Sequence, residues 1–258
     1  MTFLPIADNL RESFRVIADS RPGGELRELH GVSIASAGVT FQMFNAAFLS
    51  APVTTDSELT QRVMMTALHF QKRGQQWACW FCEDWMEPRV RRRSRQMIER
   101  EGLHHSTDLP GMTADCLLPP VRPLPAIEVR RVSDAPTRDA FCEIGSVCFH
   151  VPINWFREVF ENEAVWQRFA SFVGYVNGEP VSSAALVNGG GVIGLYNVAT
   201  LPGSQRRGYG EALMRHAIAD VQRRNGNGRI VLQSTPAGLR LYERMGFRTV
   251  TRVAVYAS

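Results

Sequence analysis

Val198-Ala-Thr-Leu-Pro-Gly-Ser-Gln-Arg-Arg-Gly-Tyr-Gly-Glu-Ala212 is the stretch whose reading decides the fold. It leaves a strand-like run, Val192–Val198, and enters a helical one with Ala212, Leu213, Ala217, Ile218 and Val221 on one stripe. A helix N-terminus presents unpaired N–H groups and a partial positive charge of about +0.5. Glycines at 208 and 210 remove the Cβ atoms that would hold a phosphate away from those donors. Arg206 and Arg207 add charge beside them. The spacing Gln205-x-x-Gly208-x-Gly210 therefore suits a pyrophosphate. A P-loop is excluded because Gly-Lys-Ser/Thr is absent, and a dinucleotide fingerprint because the turn does not follow the first strand of a parallel unit.

Outward from this turn, the second half of the chain reads clearly. Asn177-Gly178 and Asn188-Gly-Gly-Gly191 separate strand-like runs at Ser171–Val176, Val181–Val187 and Val192–Val198, the pattern of an antiparallel meander. A short strand is expected at Ile127–Val132, with helices from about Thr137 to Cys148 and Asn154 to Phe169 before the meander. A strand at Arg229–Gln233, a helix at Gly238–Met245 and a strand at Thr249–Tyr256 follow it. The order is α+β around one mostly antiparallel sheet flanked by helices.

Four prolines within Leu117–Ala126 rule out helix or central strand there and mark a linker. The expected domains are residues 1–120 and 121–258. The first half is fainter: a helix from near Asp56, a buried strand at Trp77–Cys82, and a helix from about Glu87 to Gly102. Met97-Ile-Glu-Arg-Glu-Gly-Leu103 echoes Leu241-Tyr-Glu-Arg-Met-Gly-Phe247, with Ile98 in the place of Tyr242.

The strand ending Asn197-Val-Ala-Thr200, then Pro202, Gln205-x-x-Gly208-x-Gly210, and finally Leu241-Tyr242-x-x-x-Gly246-Phe247 resemble the GNAT superfamily of N-acetyltransferases. The motifs cover residues 192–247, and 127–258 has the superfamily's element order. The resemblance implies acetyl-CoA as co-substrate and no metal. It places the pantetheine arm on Val198, Ala199 and Thr200, and the pyrophosphate on Arg206, Arg207, Gly208, Tyr209, Gly210 and Glu211, with Gln205 opening the motif. Tyr242 becomes the acid that protonates the leaving thiolate, since a phenol of pKa about 10 stays protonated at neutral pH.

The family's asparagine seven residues before this tyrosine is Thr235 here, which still offers a hydrogen bond to the pantetheine arm, and its alanine four before is Gly238. The carboxylate base usual on the fourth strand is missing from Val192–Val198, leaving a water chain or Glu143, His150 or Glu161. Some members carry two tandem copies, one degenerate. The first half has no phosphate loop of this kind, so it is expected to be a GNAT-like half without cofactor.

Composition constrains the rest. The chain has 258 residues, 45% apolar and 21% charged, with a net charge of +4, too small to argue for nucleic acid or membrane. Arg89-Val-Arg-Arg-Arg-Ser-Arg95 circles a helix without aromatic stacking platforms and reads as a solvated face or a contact with acidic neighbours. Five cysteines and no leader-like segment suit a reduced, cytoplasmic protein, and Cys79-x-x-Cys82 lacks further zinc ligands nearby. No run of about 18 apolar residues is present. The expected activity is acetyl transfer to an amine of a small molecule or peptide, in a monomer or homodimer. A non-catalytic acyl-CoA sensor is the alternative, with a nucleic-acid-binding role through Arg89–Arg95 less favoured.

Overall fold

Hairpin chemistry builds the sheet. Asn177 and Gly178 both take positive φ (53° and 83°), which turns β7 (Ala170–Val176) into β8 (Glu179–Gly189). Gly190 and Gly191 (60° and 74°) turn β8 into β9 (Val192–Thr200) in the same way. β6 (Glu128–Arg131) pairs outside β7. After β9 the chain forms α7 (Tyr209–Asn225), β10 (Ile230–Gln233), α8 (Leu239–Arg244) and β11 (Arg248–Ala257). The computed structural model describes residues 2–226 and 228–258.

The N-terminal half repeats that order. Helix α1 (Leu4–Asp19) leads into β1 (Glu25–Leu29), β2 (Val32–Ser36) and β3 (Asn45–Leu49), then α2 (Asp56–Gln71), β4 (Ala78–Cys82), α3 (Pro88–Arg100) and β5 (His104–Ala114). Both parallel joints are two residue pairs long: Ala46–Ala78 and Ala47–Cys79 in one half, Ile193–Ile230 and Gly194–Val231 in the other. The echo has the same setting in both: α3 and α8 each end at a glycine of positive φ, Gly102 (85°) and Gly246 (101°), just before the last strand of its half.

Those last strands are exchanged. The sheet runs β1-β2-β3-β4-β11-β5-β10-β9-β8-β7-β6, so β5 lies between β10 and β11, and β11 between β4 and β5. The two halves thus share one eleven-stranded, mostly antiparallel sheet. Helices α2, α3, α7 and α8 cover one face, packing Phe70, Ile98, Leu213 and Tyr242 onto it. The other face carries α1 with α4 (Ala135–Phe149), α5 (Ile153–Val159) and α6 (Glu163–Arg168). The expected helix from Asn154 to Phe169 is two helices, because Asn162 caps a new one by accepting from the Ala164 N–H (3.0 Å). Among the described residues no helix is long and apolar enough to cross a membrane.

Candidate active site

Beyond Gly194 and Val231 the strands β9 and β10 part. A bulge drives them apart: pairing with β8 steps from Ala185–Tyr196 to Ser183–Ala199, so Asn197 and Val198 together face Ala184. Asn197 adopts φ 48°, a conformation asparagine tolerates, and its carbonyl accepts from Ser183 Oγ (3.1 Å). β9 stays paired with β8 as far as Thr200, and β10 with β5 as far as Gln233. The facing edges of β9 and β10 form the gap.

Helix α7 begins beside this gap. Its N-cap is Gly208 at φ 91°, with no side chain capping the first turn. The first helical bond is Ala212 N–H to Gly208 O (2.9 Å), so the amides before it have no helical partner. A Cβ at Gly210 would stand 2.9 Å from Thr200 Oγ1, which shows how closely the helix meets the end of β9. Glu211, in the first turn, is neutralised by Arg215 (2.8 Å). Arg206 and Arg207 are exposed beside the opening, and Gln205 Nε2 is folded back onto the Thr200 carbonyl (3.0 Å). The residues fit a phosphate group: free amides, a cradle that a Cβ would fill, and two guanidinium side chains.

The equivalent places in the N-terminal half are filled. The Thr55 hydroxyl accepts from Glu58 N–H (3.2 Å), the Glu58 carboxylate accepts from Thr54 N–H (2.8 Å), and Asp56 pairs with Arg93 (2.5 Å). The gap after β3 and β4 is closed by Val53, whose N–H donates to Trp85 O (2.8 Å) and whose carbonyl accepts from Glu87 N–H (2.9 Å).

Tyr242 lies on α8, buried among Leu213, Leu232 and Phe247. Gly238 makes room for it: a Cβ there would meet Tyr242 Cε2 at 2.8 Å. Burial alone pushes the phenol pKa well up, so the side chain keeps its proton. The Thr235 carbonyl accepts from Gly238 N–H (3.0 Å) and Leu239 N–H (3.2 Å), while its side chain is exposed. None of the three suggested bases lies on β9. Glu143 and Glu161 are exposed and paired with Arg157 (3.4 Å) and Arg21 (3.3 Å), and His150 is the exposed residue ending α4.

Several contributors were not evident in the sequence. The proline-rich segment folds back over the glycine turn: Arg122 donates to Arg206 O (3.3 Å), and Pro125 would touch a Cβ on Gly208 at 2.9 Å. Gln233, the last residue of β10, has a buried Nε2 with no partner. On the opposite face, the N-terminal half reaches α5, where Phe41 stacks on Trp155 and Thr40 N–H donates to the Glu158 carboxylate (3.1 Å). These contacts join residues more than eighty positions apart, so no local pattern announced them.

A bulged strand, a splayed parallel joint and an uncapped glycine helix start make up the candidate site. Residues 138–247 match the acetyltransferase (GNAT) family. A GCN5-related N-acetyltransferase from Kribbella flavida superposes with TM-score 0.72 at 16% identity, covering 98% of this chain and 95% of that one. A functionally unknown conserved protein from Staphylococcus epidermidis gives 0.66 at 13% identity, covering 92% and 94%. A putative GNAT acetyltransferase from Novosphingobium aromaticivorans gives 0.58 at 15%, covering 98% and 97%. The fold of the whole chain is therefore shared with full-length solved structures. No curated protein matches the sequence.

Proposed function

We propose that the protein transfers the acetyl group of acetyl-CoA to an amine of a small molecule or peptide by direct attack in a ternary complex. The observation that carries this reading is the contrast between the halves. One has an open gap beside an uncapped helix, and in the other Val53 closes the gap while Thr55 and Glu58 cap the helix start.

The amides of Arg206 to Glu211, with the Arg206 and Arg207 side chains, hold the pyrophosphate. The edge of β9 at Val198, Ala199 and Thr200, which β10 leaves unpaired, offers backbone partners to the pantetheine amides, with Thr235 across the gap. The amine nitrogen attacks the thioester carbonyl and the C–S bond breaks. The Tyr242 hydroxyl gives its proton to the sulfur while the amine proton leaves to solvent, from which the phenolate regains a proton before the next turnover. Burial keeps Tyr242 protonated through the neutral range, so the proton is in place when the C–S bond breaks.

A second reading, a non-catalytic acyl-CoA sensor, is favoured by the lack of any carboxylate on β9. Thiol release from acetyl-CoA across a panel of amines separates the two. Release that depends on one amine class supports transfer. Tight binding with no release on any amine supports the sensor.

A further inference from the structure

A cavity of about 690 Å³ lies against the N-terminal half, walled by α3, by the short helix Glu83–Trp85, and by β5 and β11. It shares no lining residue with the phosphate cradle or with Tyr242. Its volume falls in the range of small-molecule sites.

Three arginines of the basic run face it: Arg91, Arg92 and Arg95. At about 100° per residue they occupy a single sector of about 100° on α3. Arg93 is turned elsewhere, to Asp56. The structure thus sorts a run that seemed to circle the helix into one face that lines a cavity and another that does not.

The charges indicate what the cavity takes. Its carboxylates are already engaged. Glu83 holds Arg252 (2.6 Å), Asp108 pairs with His105 (2.9 Å), and Asp84 accepts from Thr251 and stands 3.8 Å from Arg91. Arg95 pairs with Glu99, which does not line the cavity. Arg92 forms no ion pair among the described residues. The uncompensated charge on the α3 wall is therefore positive. Ser94 and Thr251, 3% and 6% exposed, give the cavity a floor withdrawn from water, where charge pairing is stronger. Guanidinium groups spaced along one helix face recognise phosphate or carboxylate oxygens by paired N–H donors.

We propose that this cavity is a second ligand site, separate from the acyl-donor cleft, for a small molecule bearing a phosphate or clustered carboxylates. The test is calorimetry on the full chain at low salt, with inorganic pyrophosphate and citrate as probes. Every chain compared carries Arg206→Gln/Arg207→Gln, which weakens pyrophosphate binding at the acyl-donor cleft, and that background is compared with and without Arg92→Gln/Arg95→Gln. At least one probe is expected to bind the background chain, and about tenfold more weakly once Arg92 and Arg95 are changed. Binding of pyrophosphate alone assigns a phosphate ligand, and of citrate alone a carboxylate ligand. Failure of both probes at millimolar concentration overturns the proposal. So does binding that survives the Arg92/Arg95 change. If that double variant does not fold, Arg92→Lys carries the test, since it keeps the charge and loses the planar fork. Unchanged affinity in Arg92→Lys then overturns the proposal as well.

Discussion

Val53 bridges Met86 in parallel and closes, in the N-terminal half, the kind of gap that stays open between β9 and β10 in the C-terminal half. The bridge supplies from the chain itself the backbone partners that a bound pantetheine arm would otherwise provide. A single acetyl-CoA per chain is therefore expected by calorimetry. Gly208→Trp should weaken it about tenfold or more, since φ 91° and the nearby Pro125 leave no room for a side chain. A second equivalent site, or unchanged affinity in Gly208→Trp, would count against the one-cleft reading.

Tyr242→Phe should lower kcat by about 10²- to 10⁴-fold, with acetyl-CoA affinity close to the parent value. The high pKa of the buried phenol also means that no alkaline loss of rate below about pH 10 should belong to it. A matching alkaline limb in the parent that disappears in the variant would refute the second statement.

Arg122 ties the proline-rich segment to the phosphate loop through Arg206 O. Arg122→Ala should weaken acetyl-CoA a few-fold, about 0.5–1.5 kcal/mol for one lost hydrogen bond. S-acetyl-pantetheine, which lacks the nucleotide, should lose nothing. Equal losses for both donors would show that the segment acts on the fold rather than on the phosphates.

Asn9 is fully buried where α1 meets the meander. Its amide donates to Val187 O (3.3 Å), Gly189 O (2.9 Å) and Val192 O (3.2 Å), and its carbonyl accepts from Tyr196 Oη (2.6 Å). Asn9→Leu leaves these groups without partners and should destabilise the chain by about 2–4 kcal/mol in urea denaturation. A loss below about 0.5 kcal/mol would mean that water replaces the amide.

Burial lowers the pKa of His69, with Glu25 opposing the shift. The unfolded chain then binds the proton more readily than the folded one, so this contribution to stability is present above about pH 6.5 and lost as the pH falls below it. Urea midpoints at about pH 7.5 and about pH 5.5 should differ less in His69→Gln than in the parent. Equal differences would assign the pH dependence to other groups.

Local patterns made the C-terminal half legible. Asn177-Gly178 is a hairpin signal because both residues accept positive φ, and Gly208-x-Gly210 reads as a cradle because helix amides and missing Cβ atoms act within one turn. The bulge at Asn197, the unpartnered Gln233 amide and the Asn9 cluster left no such trace. β5 was hidden for a related reason. Pro110 and Gly111 weaken its strand signal, yet both lie in register with β11, and Gly111 pairs with Gln233 of β10 as well.

The sequence by itself determined the α+β class, the meander, the glycine turn at Gly208 and Gly210 and the repeat that sets Ile98 against Tyr242. These depend on side-chain period, turn chemistry and backbone freedom, all of which act over a few residues. The tertiary structure alone decided that β5 and β11 change places. A strand's hydrophobic pattern fixes which of its faces is buried, whereas the neighbour it pairs with is chosen by backbone hydrogen bonds that any strand can make. The same long-range choice brought Arg122 to the phosphate loop and gathered Arg91, Arg92 and Arg95 over one cavity.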